Sequence, residues 1–141
     1  MDIRPILIVE DNSDDQLLLA NALEAADITS PIKFVKNGKE AQDYLFKQAN
    51  KPSALPCLVF LDLTLPEIGG MALLKELRAT PETRRLPVIV FTGSHQQKDL
   101  LDSYSYGANS YVVKGGTAED FYDKIHCLCH YWLHICKLPA S

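Results

Sequence analysis

The sequence predicts an α/β domain in which a parallel sheet is wound on both faces by helices. Three observations lead there. Short unbroken apolar runs recur at Ile6-Leu7-Ile8-Val9, Leu58-Val59-Phe60-Leu61 and Val88-Ile89-Val90-Phe91, as expected for strands covered on both sides. The segments between them space their apolar residues at helical intervals, so the two periodicities alternate. Turn formers fall at the joints: Asn37-Gly38, Pro66, Gly69-Gly70 and Thr80-Pro81.

Taken in order, the first strand, 6–9, runs into Glu10-Asp11-Asn12-Ser13-Asp14-Asp15, where Asn12 or Ser13 can cap a helix through Leu17, Leu18, Ala20 and Leu23 to about residue 26. Ile32-Lys33-Phe34-Val35 is a second strand, followed by a helix over about 39–48 and a loop punctuated by Pro52 and Pro56. The third strand ends at Asp62. A helix carrying Met71, Leu73, Leu74 and Leu77 precedes a fourth strand, 87–92, and a helix near 99–106 precedes a fifth, 110–114. The last helix is expected over about 118–136. Five such units imply right-handed crossovers in an open, doubly wound sheet.

Composition narrows the class. With 141 residues and 47% hydrophobic content, one domain spanning 1–141 can bury a sizeable core, and a second has no room. No run approaches the roughly 18 apolar residues of a membrane span, and the first residues lack a signal-peptide core, so a cytoplasmic protein with no membrane contact is expected. Four unevenly spaced cysteines agree with a reducing compartment. A net charge of −4, with no basic run beyond Arg84-Arg85, argues against a nucleic-acid partner.

The polar residues at the strand ends carry the chemistry. Ligands of open parallel sheets bind beyond the carboxyl ends of the strands. That edge receives Glu10 and Asp11 from strand one, Asp62 from strand three, Thr92 from strand four and Lys114 from strand five. Three converging carboxylates repel unless a cation joins them, and an all-oxygen donor set favours a hard ion such as Mg²⁺.

At these residues the chain resembles the receiver domains of two-component response regulators, across essentially its whole length. The matching string is Asp62-Leu-Thr-Leu-Pro66 with Gly70 beyond it. The resemblance implies a flavodoxin-like sheet of order 2-1-3-4-5. It also implies that Glu10, Asp11, Asp62 and the backbone carbonyl of Thr64 hold Mg²⁺, and that Asp62 accepts a phosphoryl group from a sensor histidine kinase. Lys114 would contact that group, with Thr92 and Tyr111 as the switch pair, and the domain would catalyse only its own modification and hydrolysis rather than act as an enzyme on other substrates. Output would pass to a protein target or to a phosphotransfer protein. A receiver that keeps the fold without being phosphorylated is the alternative.

Two departures from the family pattern stand out. Lys114 is followed by Gly115-Gly116 where a cis-proline is usual, so a trans and more mobile loop is expected, because a cis bond to a non-proline residue costs roughly 2.5 to 4 kcal/mol. Gly69 stands where Asp is common and should alter only the loop after strand three.

The last helix and tail, about 118–141, are the other informative region. A wheel puts Ala118, Tyr122, Ile125, Cys129, Leu133 and Cys136 on a stripe toward the sheet, with Leu128, Trp132 and Ile135 adding apolar area on a second side. The ending His130-Tyr-Trp-Leu-His-Ile-Cys-Lys-Leu-Pro139 resembles single-domain regulators that partner cyanobacterial and bacterial phytochrome kinases, which implies a homodimer built partly from the tail. A zinc reading of His126-Cys127-Leu128-Cys129-His130 is weak, since residues two apart project roughly 200° apart on a helix.

Other functional classes fit less well. A flavin carrier would need a phosphate cradle where the acidic loop 10–15 stands, and an aspartyl phosphatase would want an acid where Thr64 stands.

Overall fold

The structure is a computed structural model that describes residues 4–47, 51 and 54–139. In chain order it consists of β1 (Ile6–Val9), α1 (Ser13–Ala25), β2 (Ile32–Val35), α2 (Gly38–Lys47), β3 (Leu58–Leu61), α3 (Gly70–Ala79), β4 (Val88–Thr92), α4 (Gln97–Ser105), β5 (Ser110–Val113) and α5 (Ala118–His130). A π-helical turn, Tyr131–Ile135, continues α5. All five strands are parallel, in the order β2-β1-β3-β4-β5. The expected end of α2 at position 48, part of the loop after it and the last two residues of the tail lie outside the described residues.

Strand periodicity divides the core in two. Side chains alternate across a pleated sheet, so Leu7, Val9, Val59, Leu61, Val88 and Val90 face one side while Ile6, Ile8, Leu58, Phe60, Ile89 and Phe91 face the other. The first set packs against Ala41 and Leu45 of α2 and Leu73, Leu74 and Leu77 of α3. The second packs against Leu19, Ala22 and Leu23 of α1 and Phe121, Ile125 and Cys129 of α5. Because β1, β3 and β4 are covered on both faces, their sequences show no polar alternation.

The helix starts are specified locally. Asn12 caps α1, its Oδ1 accepting from the Asp15 N–H at 3.0 Å. Asn37 accepts from the Glu40 N–H at 2.8 Å while its Nδ2 donates to the Glu40 carboxylate at 3.3 Å, so the two side chains brace the start of α2. Thr117 caps α5 by accepting from the Asp120 N–H. A strut unforeseen in the sequence is Arg78, whose guanidinium donates to the carbonyls of Arg84, Leu86 and Gly107 and to Asn109 Oδ1, tying the α3–β4 and α4–β5 joints together.

Leu17 lies within α1 as expected and is 62% exposed, because the face of α1 set by Leu19, Ala22 and Leu23 meets the sheet and Leu17 lies off it. Two expectations need correction. On α5 the sheet-facing stripe is Phe121, Ile125 and Cys129, with Ala118 exposed. Phe121 decides that register by packing on Phe91, ring centroids 5.3 Å apart. The last helix also does not stay α-helical to residue 136. It widens after His130, the Cys136 N–H reaching the Tyr131 carbonyl at 2.7 Å, five residues back.

Burial pushes the Cys129 thiol up to about 12, whereas Cys127 is exposed on the same helix. A raised folded-state pKa means that Cys129 contributes no pH-dependent loss below the ordinary thiol value and opposes folding progressively as pH climbs from there toward 12. At pH 8, thiol labelling of the native protein is therefore expected to modify Cys127 rapidly and Cys129 only through unfolding. Equal native-state rates at the two positions would contradict this packing.

Candidate functional site

The site lies where β1 and β3 end. Their register pairs Val9 with Leu61, so the next residue of each strand, Glu10 and Asp62, emerges at the same level on adjacent strands. Both are held by the sheet: the Glu10 N–H donates to the Val35 carbonyl at 3.0 Å and the Asp62 N–H to the Val9 carbonyl at 3.1 Å. Glu10 is 2% exposed and Asp62 5%, which is uncommon for ionisable groups without partners. Gly70 closes the approach from behind. A Cβ there would stand 2.1 Å from the Asp62 carbonyl oxygen, so the start of α3 can lie against the Asp62-Leu63 backbone only because position 70 has no side chain.

Lys114 enters from the end of β5. Its N–H donates to the Thr92 carbonyl at 2.7 Å, and its ammonium donates to three carboxylates: Glu10 Oε1, Asp15 Oδ2 at 2.8 Å and Asp62 Oδ2 at 2.9 Å. Its other flank lies over the Phe91 ring, 5.4 Å from the centroid. Among the described residues all peptide bonds are trans, as expected for Lys114-Gly115, and Gly115 and Gly116 take φ of 128° and 81°. Asp15 is the site residue that sequence reasoning missed. Its cue was its place in the first turn of α1, one helical turn from the acid pair, but an acid there already has an ordinary explanation at a helix start.

Electrostatics set the resting state. Burial is the main cause that pushes the Glu10 carboxyl up to about 7; the Lys114 hydrogen bond opposes it and the neighbouring Asp62 reinforces it. For Lys114, burial works to lower the pKa, but the hydrogen bonds to Asp15, Glu10 and Asp62 prevail and raise it, keeping the ammonium charged. One carboxylate oxygen from each of Glu10, Asp11 and Asp62 lies within 4.8 Å of the others. Oxygens around a small divalent ion at about 2.1 Å are separated by up to about 4.2 Å, so this trio fits a hard cation with small adjustments. Asp11 itself is exposed. Thr64 donates its N–H to Asp62 Oδ1 at 3.1 Å, fixing the Asp62 carboxylate from the loop side. Among the described residues no other trio of His, Cys, Asp or Glu gathers in this way, and His126 and His130 are exposed.

Thr92 and Tyr111 meet through Ser94. Thr92 is fully buried, its Oγ1 accepting from the Ser94 N–H at 3.4 Å. The half-buried Tyr111 donates its hydroxyl to the Ser94 carbonyl at 3.0 Å, and Ser94 Oγ donates to Asp99 Oδ2 at 2.5 Å. Ser94 was not singled out in the sequence, because a polar residue after a strand reads as an ordinary loop. It links the ends of β4 and β5 to the start of α4.

A doubly wound sheet of order β2-β1-β3-β4-β5 that brings acids from β1 and β3, a buried threonine from β4 and a lysine from β5 to one edge has the architecture of a signalling receiver domain. Residues 6–126 match the response regulator receiver domain, and the chain belongs to that family. It is 36% identical over 135 residues to the probable methanogenesis regulatory protein FilR2 of Methanothrix harundinacea, covering 96% of this chain and 87% of the relative. It is 32% identical over 137 residues to the response regulator Rcp1 of Synechocystis, covering 96% and 93%. The structure of the phosphorylated cyanobacterial phytochrome response regulator RcpA superposes with a TM-score of 0.87 at 32% identity, covering 96% of this chain and 97% of RcpA. A Mn²⁺-bound form of Rcp1 gives 0.86 at 31%, covering 96% and 98%. Among the described residues no helix is long and apolar enough to cross a membrane.

Proposed function

We propose that the chain works as a single-domain response regulator in the cytoplasm, in which Asp62 accepts a phosphoryl group from a partner histidine kinase. The carrying observation is Asp62 itself, nearly buried at the end of a central strand and hydrogen-bonded to the Lys114 ammonium, which also holds the Glu10 carboxylate. A Mg²⁺ ion held by Glu10, Asp11, Asp62 and the Thr64 carbonyl would supply positive charge against the transferring group. Asp62 is the nucleophile: its carboxylate oxygen forms the bond to phosphorus while the phosphorus–nitrogen bond of the kinase's phosphohistidine breaks and the imidazole leaves with that electron pair. Lys114 donates to a phosphoryl oxygen and balances the charge that gathers there. Thr92 turns its hydroxyl to another oxygen, and the shared attachment of Thr92 and Tyr111 to Ser94 carries that movement to α4 and β5.

The surface suits a protein readout. Leu101 and Tyr104 of α4 are 56% and 51% exposed, apolar area that a target can cover. Tyr131 and Ile135 of the π turn are 50% and 62% exposed, which supports a homodimer through the C-terminal region. Likeness to RcpA and Rcp1 supports a phytochrome-type kinase as the partner. Onward transfer to a phosphotransfer protein uses the same acceptor.

Incubation with acetyl phosphate and Mg²⁺, followed by intact-mass measurement, tests the reading. One added phosphoryl group, absent in EDTA, is the expected result. No addition with acetyl phosphate or with a phosphorylated histidine kinase would favour an interaction module that signals without phosphate.

A further inference from the structure

We propose that Asp15 is a positioning residue for Lys114, holding the ammonium at the rim of the acid pocket while Asp62 is phosphorylated; this rests on Asp62 being the acceptor. The three hydrogens of the Lys114 ammonium meet three different carboxylates, those of Glu10, Asp62 and Asp15. Glu10 and Asp62 also belong to the trio spaced for a cation, and Asp15 does not. When those two carboxylates turn to a cation, or when Asp62 becomes an acyl phosphate, Lys114 loses them as partners. Asp15 is the anion that remains.

The backbone offers little alternative support. Lys114 is followed by two glycines in left-handed conformations, and a Cβ at Gly115 would meet nothing within 4 Å, so the loop beyond the lysine is not packed at that position. The N–H bond to Thr92 holds the main chain but leaves the flexible four-carbon stem free, with the Phe91 ring along one flank. Asp15, by contrast, sits on a capped helical turn, its own N–H bound by Asn12. Its carboxylate therefore supplies a fixed point that the loop lacks.

In the transfer from acetyl phosphate, an Asp62 oxygen donates its electron pair to phosphorus, the bond from phosphorus to the acetyl oxygen breaks, and acetate leaves with that pair. Asp62 transfers no proton. Asp15 touches none of the reacting atoms and acts through Lys114 alone.

The test follows phosphorylation of the full chain against acetyl phosphate concentration in Mg²⁺ for Asp15→Ala, Asp15→Glu and Asp14→Asn, and for Asp15→Ala combined with Lys114→Ala. For Asp15→Ala the saturating rate is expected to fall about tenfold, while the half-saturating donor concentration stays level or drops because a negative charge has gone. Asp15→Glu should recover most of the rate, and Asp14→Asn, in the same helical turn, should change it by less than about twofold. In the Lys114→Ala background, Asp15→Ala should have no further effect. A second readout needs no turnover: in EDTA, a urea double-mutant cycle between Asp15 and Lys114 should give a coupling of about threefold to tenfold in the folding constant. A wild-type rate in Asp15→Ala, equal slowing by Asp14→Asn, or no coupling in EDTA would each overturn the proposal. Absence of phosphorylation in the wild type would instead remove the acceptor reading, and the positioning role with it.

Discussion

Asp62→Asn is expected to abolish covalent phosphorylation by every donor, a loss of at least about 10³-fold in rate, while the protein remains folded. The amide is nearly isosteric but its oxygen lacks the nucleophilic charge. Stability should move the other way. Asp62 is one of the causes that keep Glu10 hard to ionise, so removing its charge relieves part of that repulsion in metal-free buffer. Intact mass and urea denaturation of the same preparation separate the two effects. A variant that still gains one phosphoryl group would move the acceptor to another residue.

Gly70→Ala is expected to be the most damaging single methyl addition near the site, at about 3 kcal/mol or more. The added Cβ would stand 2.1 Å from the Asp62 carbonyl oxygen and 2.7 Å from Leu63 Cα. These are backbone atoms, and that backbone cannot step aside, because the Asp62 N–H is bound to β1 and the Gly70 N–H to the Leu63 carbonyl. Folding can recover only by displacing α3, which also moves Asp62. Gly69→Ala is the control: a Cβ there meets nothing within 4 Å and φ is −66°, so the change should stay within about 1 kcal/mol. Urea midpoints of the two variants test this, and a Gly70→Ala protein as stable as Gly69→Ala would mean that the loop after β3 has another conformation.

The C-terminal helix shows where reading from the chain reaches its limit. Ile125 and Cys129 belong to the sheet-facing stripe under either register, but a wheel cannot distinguish Ala118 from Phe121 as its first member. The large ring of Phe121 against Phe91 makes that choice. Leu17 is a similar case, since apolar identity says nothing about which face of α1 meets the sheet.

What the amino-acid order determined by itself was the alternation of strands and helices, a cap for the first helix at Asn12 or Ser13 and the set of polar residues delivered to the strand ends. Those depend on periodicities and hydrogen bonds spanning a few residues, which a linear string carries. Only the tertiary structure decided that Lys114 lies among Glu10, Asp15 and Asp62, that Ser94 joins Thr92 to Tyr111, and that Arg78 ties two distant joints. These contacts join residues up to 104 positions apart in the chain. They arise because parallel strands in register bring distant segments to one edge, where buried charges must find partners among whichever groups the fold has placed within reach.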